Sequence, residues 1–247
     1  MLETIIALLF AHSLADFVFQ TRAMVDHKTK FWVLSGHIAV VGTLSFAALG
    51  FASIWLVLIV TGLHLLMDFI KTYFMAKNLT SFLVDQTVHL LVILVAASQF
   101  PDAFASGIWA DHSFWQSTPD WLRAIPQSWL DSLPLSMLLI SGMIFATRAG
   151  GFAIGMFMKP ITPDPDQGIP NAGAIIGNLE RGMAFMFILT GQPQNLGFLI
   201  AAKSILRFGS AQNNRAVSEY VIIGTLCSFG WAFIVAIATI SLRGLLD

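Results

Sequence analysis

Long apolar runs separated by short polar stretches organise this chain. They lie at about 2–21, 31–51, 53–74, 80–99, 136–158, 173–191, 195–208 and 218–243. A helix that crosses a bilayer needs roughly 20 mostly apolar residues, and only the seventh run falls well short of that. It reads as tilted, half-inserted or re-entrant, so the pattern predicts eight spans, or seven if this run does not cross. The expected fold is all-α: a polytopic helical membrane protein with about eight transmembrane helices in two four-helix halves. Residues 1–99 form the first membrane domain, 100–135 an external loop, and 136–247 the second domain. Pro160–Pro170, rich in Pro and Asp, reads as a cytoplasmic linker. Gly151 and Gly155 make a small-xxx-small face suited to close helix packing.

Polar residues then orient the bundle. The first run begins Met1-Leu2-Glu3 without a basic segment and contains His12 and Asp16. It is therefore expected to be a retained helix and not a cleaved leader. Short cytoplasmic loops hold positive charge. With the N-terminus outside, Arg22, Lys28, Lys30, Lys71, Lys77, Lys159, Arg207 and Arg215 fall on the cytoplasmic side, against Arg123 and Arg243 outside. The 100–135 loop mixes Asp102, Asp111, Asp120 and Asp131 with Trp109, Trp115, Trp121 and Trp129, as an amphipathic segment resting at the membrane interface does. Composition agrees: 56% of residues are hydrophobic and 11% charged, and the net charge of −1 offers no footprint for nucleic acid. A lone cysteine, Cys227, excludes a disulfide framework or a thiolate metal site. The expected setting is a bacterial inner membrane, with the lipid bilayer as the one firm partner. No feature of the sequence fixes an oligomeric state.

Candidate chemistry concentrates in the first four spans. Of six histidines, His12, His37, His64 and His89 fall inside them, accompanied by Asp16, Asp68 and Asp85. His12/Asp16, His64/Asp68 and Asp85/His89 are i,i+4 pairs, so each presents two ligand-type groups on one helix face. The first and third spans share the pattern H-x-L-x-D-F, at His12–Phe17 and His64–Phe69. Counted from the cytoplasmic ends, His12, His64 and His89 lie nine or ten residues deep, and Asp16, Asp68, Asp85 and His37 five or six. At about 1.5 Å per residue these form two layers roughly 6 Å apart. Antiparallel helices should reverse the order of the pair, and the fourth span does read Asp then His.

An ionisable group in lipid costs at least a few kcal/mol unless it is paired or faces a cavity. Protonation, His–Asp hydrogen bonds or a divalent metal would neutralise the three carboxylates. Imidazole with carboxylate suits zinc first, and manganese or iron. A single buried histidine is more often a satisfied structural residue than a ligand, but the ensemble tips the balance toward a metal or proton site. Asp16 or Asp85 is the expected general base. Gln20, Lys71 and Gln86 lie where they would orient ligands or bind substrate at the cytoplasmic mouth, although Lys71 can equally snorkel to the interface. In the second half Glu180, Arg181, Lys203 and Arg207 read first as ion pairs tying helices together. Their surplus of cations, with Arg148, is also suited to a phosphate or lipid headgroup.

These residues resemble a bacterial membrane family known only as a domain of unknown function. Its pattern, H-x-x-x-D-F-x-x-Q, then G-H, then H-x-x-x-D-x-x-K, then D-Q-x-x-H, falls here on His12, Asp16, Phe17, Gln20, Gly36, His37, His64, Asp68, Lys71, Asp85, Gln86 and His89. The resemblance covers about residues 1–95, and Gly177–Arg181 and Ala202–Phe208 look like an extension found in longer members. More distantly, the His/Asp arrangement is similar to membrane-bound metal-dependent hydrolases, which implies a hydrolase by analogy. The leading expectation is thus a metal-dependent hydrolase acting on a lipid or lipid-linked phosphate. The rivals are a proton or divalent-cation transporter or channel, and a non-catalytic scaffold or stress-response protein. The external halves of the first four spans hold no polar ladder, which favours a one-sided pocket over a conduit.

Overall fold

The structure is a computed structural model that describes residues 1–162, 171–211 and 215–246, except for the side chains at 122 and 206–211. All regular structure among these residues is helical. Among the described residues seven helices are long and apolar enough to cross a membrane. They are α1 (Leu2–Phe19), α2 (Phe31–Ala48), α3 (Ile54–Phe74), α4 (Leu79–Gln99), α5 (Leu133–Ile161), α6 (Ala172–Leu189) and, after a shorter helix, α8 (Arg215–Arg243). The shorter one, α7 (Asn195–Ala211), is the element whose crossing the sequence left open. Only 28% to 50% of each span is buried by protein, and large side chains such as Trp32, Trp55, Phe74, Leu226 and Ile234 point outward. Apolar belts of this extent are stable only against lipid. The polytopic helical membrane fold is therefore what this sequence forms.

The chain divides into two compact units, Met1–Ser141 with Leu242–Asp247, and Gly142–Ser241. In the first, α1 packs on α2 and α4, α2 on α3, and α3 on α4, closing a four-helix ring. One end of this ring is filled by apolar side chains, including Ile6, Leu8, Leu49, Leu56, Val60, Ile93 and Ala97. The segment after α4 lies over that end. The Thr4 hydroxyl donates to Pro101 O at 2.9 Å and accepts from Phe104 N at 3.2 Å. Trp109 Nε1 donates to Ala47 O at 2.7 Å. Gly50, at φ +68°, lets this segment approach closely, since a Cβ there would sit 2.8 Å from Ile108 N. Short helices follow at His112–Gln116, Asp120–Arg123 and Gln127–Asp131, with Trp121 and Trp129 exposed. This segment uses two of its four tryptophans, Trp109 and Trp115, as hydrogen-bond donors to backbone carbonyls.

In the second unit a buried arginine, Arg181, ties α6 to α5 and α8. Helix α5 contains a π turn at Phe145–Ala149, a widened turn that leaves carbonyls open to side chains. Arg181 Nε donates to Ala146 O at 3.0 Å, its Nη2 to Thr147 O at 3.0 Å, and Trp231 Nε1 to Phe145 O at 2.9 Å. Gly151 belongs to the expected small-residue face, but its close neighbour is Arg181 Nη2, 3.0 Å from where a Cβ would stand. Gly155 has nothing within 4 Å. Most of the expected linker, residues 163–170, lies outside the described residues.

Candidate metal centre

At the end of the first unit opposite the apolar fill, the helix termini gather the polar residues. Helix α1 changes to a π turn at Ala15–Phe19 and ends where Gln20 becomes extended. The wider turn keeps His12 and Asp16 neighbours, with Nδ1 and Oδ2 3.9 Å apart. Thr21 then caps a short helix, Arg22–Asp26, accepting from Met24 N at 3.3 Å. His37 lies in the second turn of α2. His64, Asp68 and Lys71 follow one face of α3, four and three residues apart. The Asn78 side chain caps α4 by accepting from Ser81 N at 2.9 Å, which starts the helix so that Asp85, Gln86 and His89 point inward. All four histidines, with Asp68 and Asp85, are at most 4% exposed.

The structure brings all seven expected donors together. His37 Nε2 and His64 Nε2 are 3.3 Å apart. Asp68 Oδ2 lies 3.4 Å from the first and 3.6 Å from the second. Asp16 Oδ1 lies 3.3 and 3.4 Å from the same two nitrogens. These atoms form two triangles that share the His37–His64 edge. His64 stacks on His89 within the deeper layer, ring centroids 4.0 Å apart, and reaches His37, Asp16 and Asp68 of the other, so the two expected layers are one connected cluster. His89 Nε2 approaches Asp85 Oδ1 at 3.3 Å.

Fit to a metal can be tested on these atoms. Asp16 Oδ1, Asp68 Oδ2, Asp85 Oδ1 and His89 Nε2 are all buried and make no hydrogen bond of good geometry. A buried carboxylate oxygen without a partner costs a few kcal/mol. A tetrahedral ion with bonds of 2.0–2.1 Å holds its ligand atoms about 3.3–3.4 Å from one another. The measured edges match that spacing, so the residues fit a divalent ion. Three sets can each place their ligand atoms within 4.8 Å of one another: His12/Asp16/His64, His37/His64/Asp68 and Asp16/Asp85/His89.

Two further features go beyond the sequence reading. Lys28, seen there only as a loop cation, is buried and donates to Asp68 Oδ1 at 2.6 Å. Lys71 donates to Asp85 Oδ2 at 2.5 Å while passing over the Phe82 ring. Lysines thus compensate two of the three carboxylates, and among the described residues Asp16 faces histidines but no lysine. A buried carboxylate that needs a cation, with Lys28 on the connection just after α1, was the one sequence signal for this pair. Gln86 Nε2 donates to Asp85 Oδ2 at 3.1 Å and to Asp16 Oδ2 at 3.4 Å, and its Oε1 accepts from His12 Nε2 at 3.2 Å. That amide is committed within the cluster. Gln20 Nε2 is buried without a hydrogen-bond partner.

The second unit carries the remaining candidates. Lys203 donates to Glu180 Oε2 at 2.7 Å, so this pair ties α7 to α6. Arg181 spends its donors on Ala146 O, Thr147 O, Ser228 Oγ and Asn178 Oδ1. The Arg207 side chain lies outside the described residues.

Fold and cluster together define a multi-pass helical membrane protein whose buried histidines and aspartates can hold a metal ion. Residues 4–114 match the family described as "Protein of unknown function (DUF3307)", an uncharacterised family. Every His and Asp of the cluster falls inside that match. No curated protein and no solved structure matches the chain.

Proposed function

We propose that the protein is a metal-dependent hydrolase of the bacterial inner membrane, acting on a lipid or lipid-linked phosphate that enters from the cytoplasmic leaflet. The carrying observation is the pair of donor triangles at His37, His64, Asp68 and Asp16, with edges of 3.3–3.6 Å. His37, His64 and Asp68 would hold the ion and leave its fourth position to a water, beside Asp16. Zinc is the first choice, because two imidazoles and carboxylates suit it; manganese and iron are next. When bound, such an ion supplies Lewis acidity and makes a water acidic enough to lose its proton near neutrality. Asp85, whose Oδ1 makes no hydrogen bond of good geometry, would take that proton, and Asp16 is the alternative base. Water would attack phosphorus, the bond to the lipid oxygen would break, and the released alcohol would recover the proton. Lys28 and Lys71, whose ammoniums already seek anionic oxygen, suit a phosphate.

Closure of the far end by apolar side chains supports an enzyme over a conduit, since a transported ion would have to cross that fill. The test combines metal analysis of purified protein with lipid extracts from cells that have or lack it. A stoichiometric metal, lost together with its effect on melting temperature in His37→Ala and His64→Ala, and an altered lipid phosphate pool are expected. No stoichiometric metal overturns the reading. Metal flux into proteoliposomes without any lipid change overturns it in favour of transport.

A further inference from the structure

We propose that the centre takes a second divalent ion, at Asp85 and His89, and that Asp16 bridges the two. The inference rests on the metal reading above, and it reassigns Asp85 from proton acceptor to ligand.

One ion at His37, His64 and Asp68 leaves buried atoms unexplained. Asp85 Oδ1 and His89 Nε2 still face each other at 3.3 Å with no hydrogen bond of good geometry. That is the same defect which the first ion resolves. The two aspartates are also built alike. Asp68 gives Oδ1 to Lys28 and turns Oδ2 to His37 and His64. Asp85 gives Oδ2 to Lys71 and turns Oδ1 to His89. Each thus has one oxygen fixed by an ammonium and the other aimed at imidazole nitrogen, on the same helix as its i,i+4 histidine.

Asp16 lies between these halves and belongs to both. Its Oδ1 meets His37 and His64, while its Oδ2 accepts from Gln86 Nε2, the same nitrogen that donates to Asp85. Asp16, Asp85 and His89 can bring their ligand atoms within 4.8 Å of one another. A carboxylate that belongs to both donor sets, and that no lysine among the described residues pairs with, is suited to bridging two cations. Ligands one turn apart on facing helices are how helical bundles build di-metal sites. Paired ions about 3.5–4 Å apart serve displacements at phosphorus. Two ions and two lysines against three carboxylates leave the centre strongly positive, which a phosphate ester would neutralise.

The experiment strips the purified full chain with chelator, titrates it with Mn(II), and reads bound ions per chain together with the electron paramagnetic resonance spectrum. Two equivalents and an exchange-coupled spectrum are expected for the wild type. Asp85→Asn and His89→Ala should each hold one equivalent with an uncoupled six-line signal. One uncoupled equivalent in the wild type overturns the second ion and leaves the hydrolase reading standing; none overturns both. Two uncoupled equivalents overturn the bridge, and two retained in both variants overturn the assignment to Asp85 and His89. The wild-type spectrum decides the matter even if a variant fails to fold.

Discussion

Lys28 sits on the connection between α1 and α2, yet its ammonium reaches Asp68 at 2.6 Å with only 11% of the side chain exposed. Lys71 does the same for Asp85, but a third of its side chain meets solvent. Removing one partner of a buried pair strands the other charge and costs about 3–5 kcal/mol, and both aspartates are at most 1% exposed. Lys28→Met should therefore destabilise the metal-free protein by several kcal/mol, and Lys71→Met by less, because Gln86 Nε2 still donates to the stranded Asp85 Oδ2 and the partly exposed Lys71 gives up less burial. Saturating divalent ion should recover part of the Lys28→Met loss by taking over the charge of Asp68. Unfolding in detergent, with and without ion, measures both; equal losses for the two variants would contradict the burial argument. At this scale the seven donors were legible because helical spacing and depth fix which groups converge. Lys28 was not, since its approach depends on the aperiodic path of residues 20–30. Gln86 was legible as a polar neighbour but not as the amide joining Asp16, Asp85 and His12, which depends on rotamers that spacing does not set.

Helices α1 and α5 each depart from α geometry for five residues, at Ala15–Phe19 and Phe145–Ala149. Each departure contains a charged residue, Asp16 in one and Arg148 in the other. A π turn leaves no mark on an apolar run of 20 residues, so the sequence could place the spans but not these turns. In α5 the consequence can be measured. The guanidinium of Arg181 bridges Ala146 O and Thr147 O to Asn178 and Ser228. A Cβ on Gly151 or Gly177 would stand 3.0 or 3.1 Å from its terminal nitrogens. Gly151→Ala and Gly177→Ala should each destabilise the protein by about 1–3 kcal/mol through overpacking. In an Arg181→Ala background that penalty should nearly vanish at Gly177, whose close neighbours are all Arg181 atoms, and shrink at Gly151, where Asn178 Oδ1 remains 3.2 Å away. A double-mutant cycle on thermal unfolding tests this coupling. Additive losses would mean that the glycines are needed for some other contact.

Across the whole molecule the sequence reading reaches furthest at the spans, because hydropathy reports the solvent directly. It reaches least far at the ends of the helix bundle. The 100–135 segment read as an interfacial loop, and its hydrogen bonds to Thr4, Ala47 and Gly50 O come from backbone geometry that composition does not encode. The same limit touches orientation. Two of the cations counted toward a cytoplasmic site end, Lys28 and Lys71, are paired with aspartates of the cluster. In the first unit the bias then rests on Arg22, Lys30 and Lys77 against Arg123. That still favours the site end facing the cytoplasm, since retained loops are scored on the few basic residues close to span ends. Single cysteines in a Cys227→Ala background test it directly. Ser117 and Lys77 are both exposed and stand beyond opposite ends of α4. In spheroplasts an impermeant maleimide should label Ser117→Cys at once, and Lys77→Cys only after the membrane is opened. The reverse pattern would turn the cluster toward the outer face. The substrate would then have to come from the outer leaflet, while the donor geometry of the centre would stand unchanged.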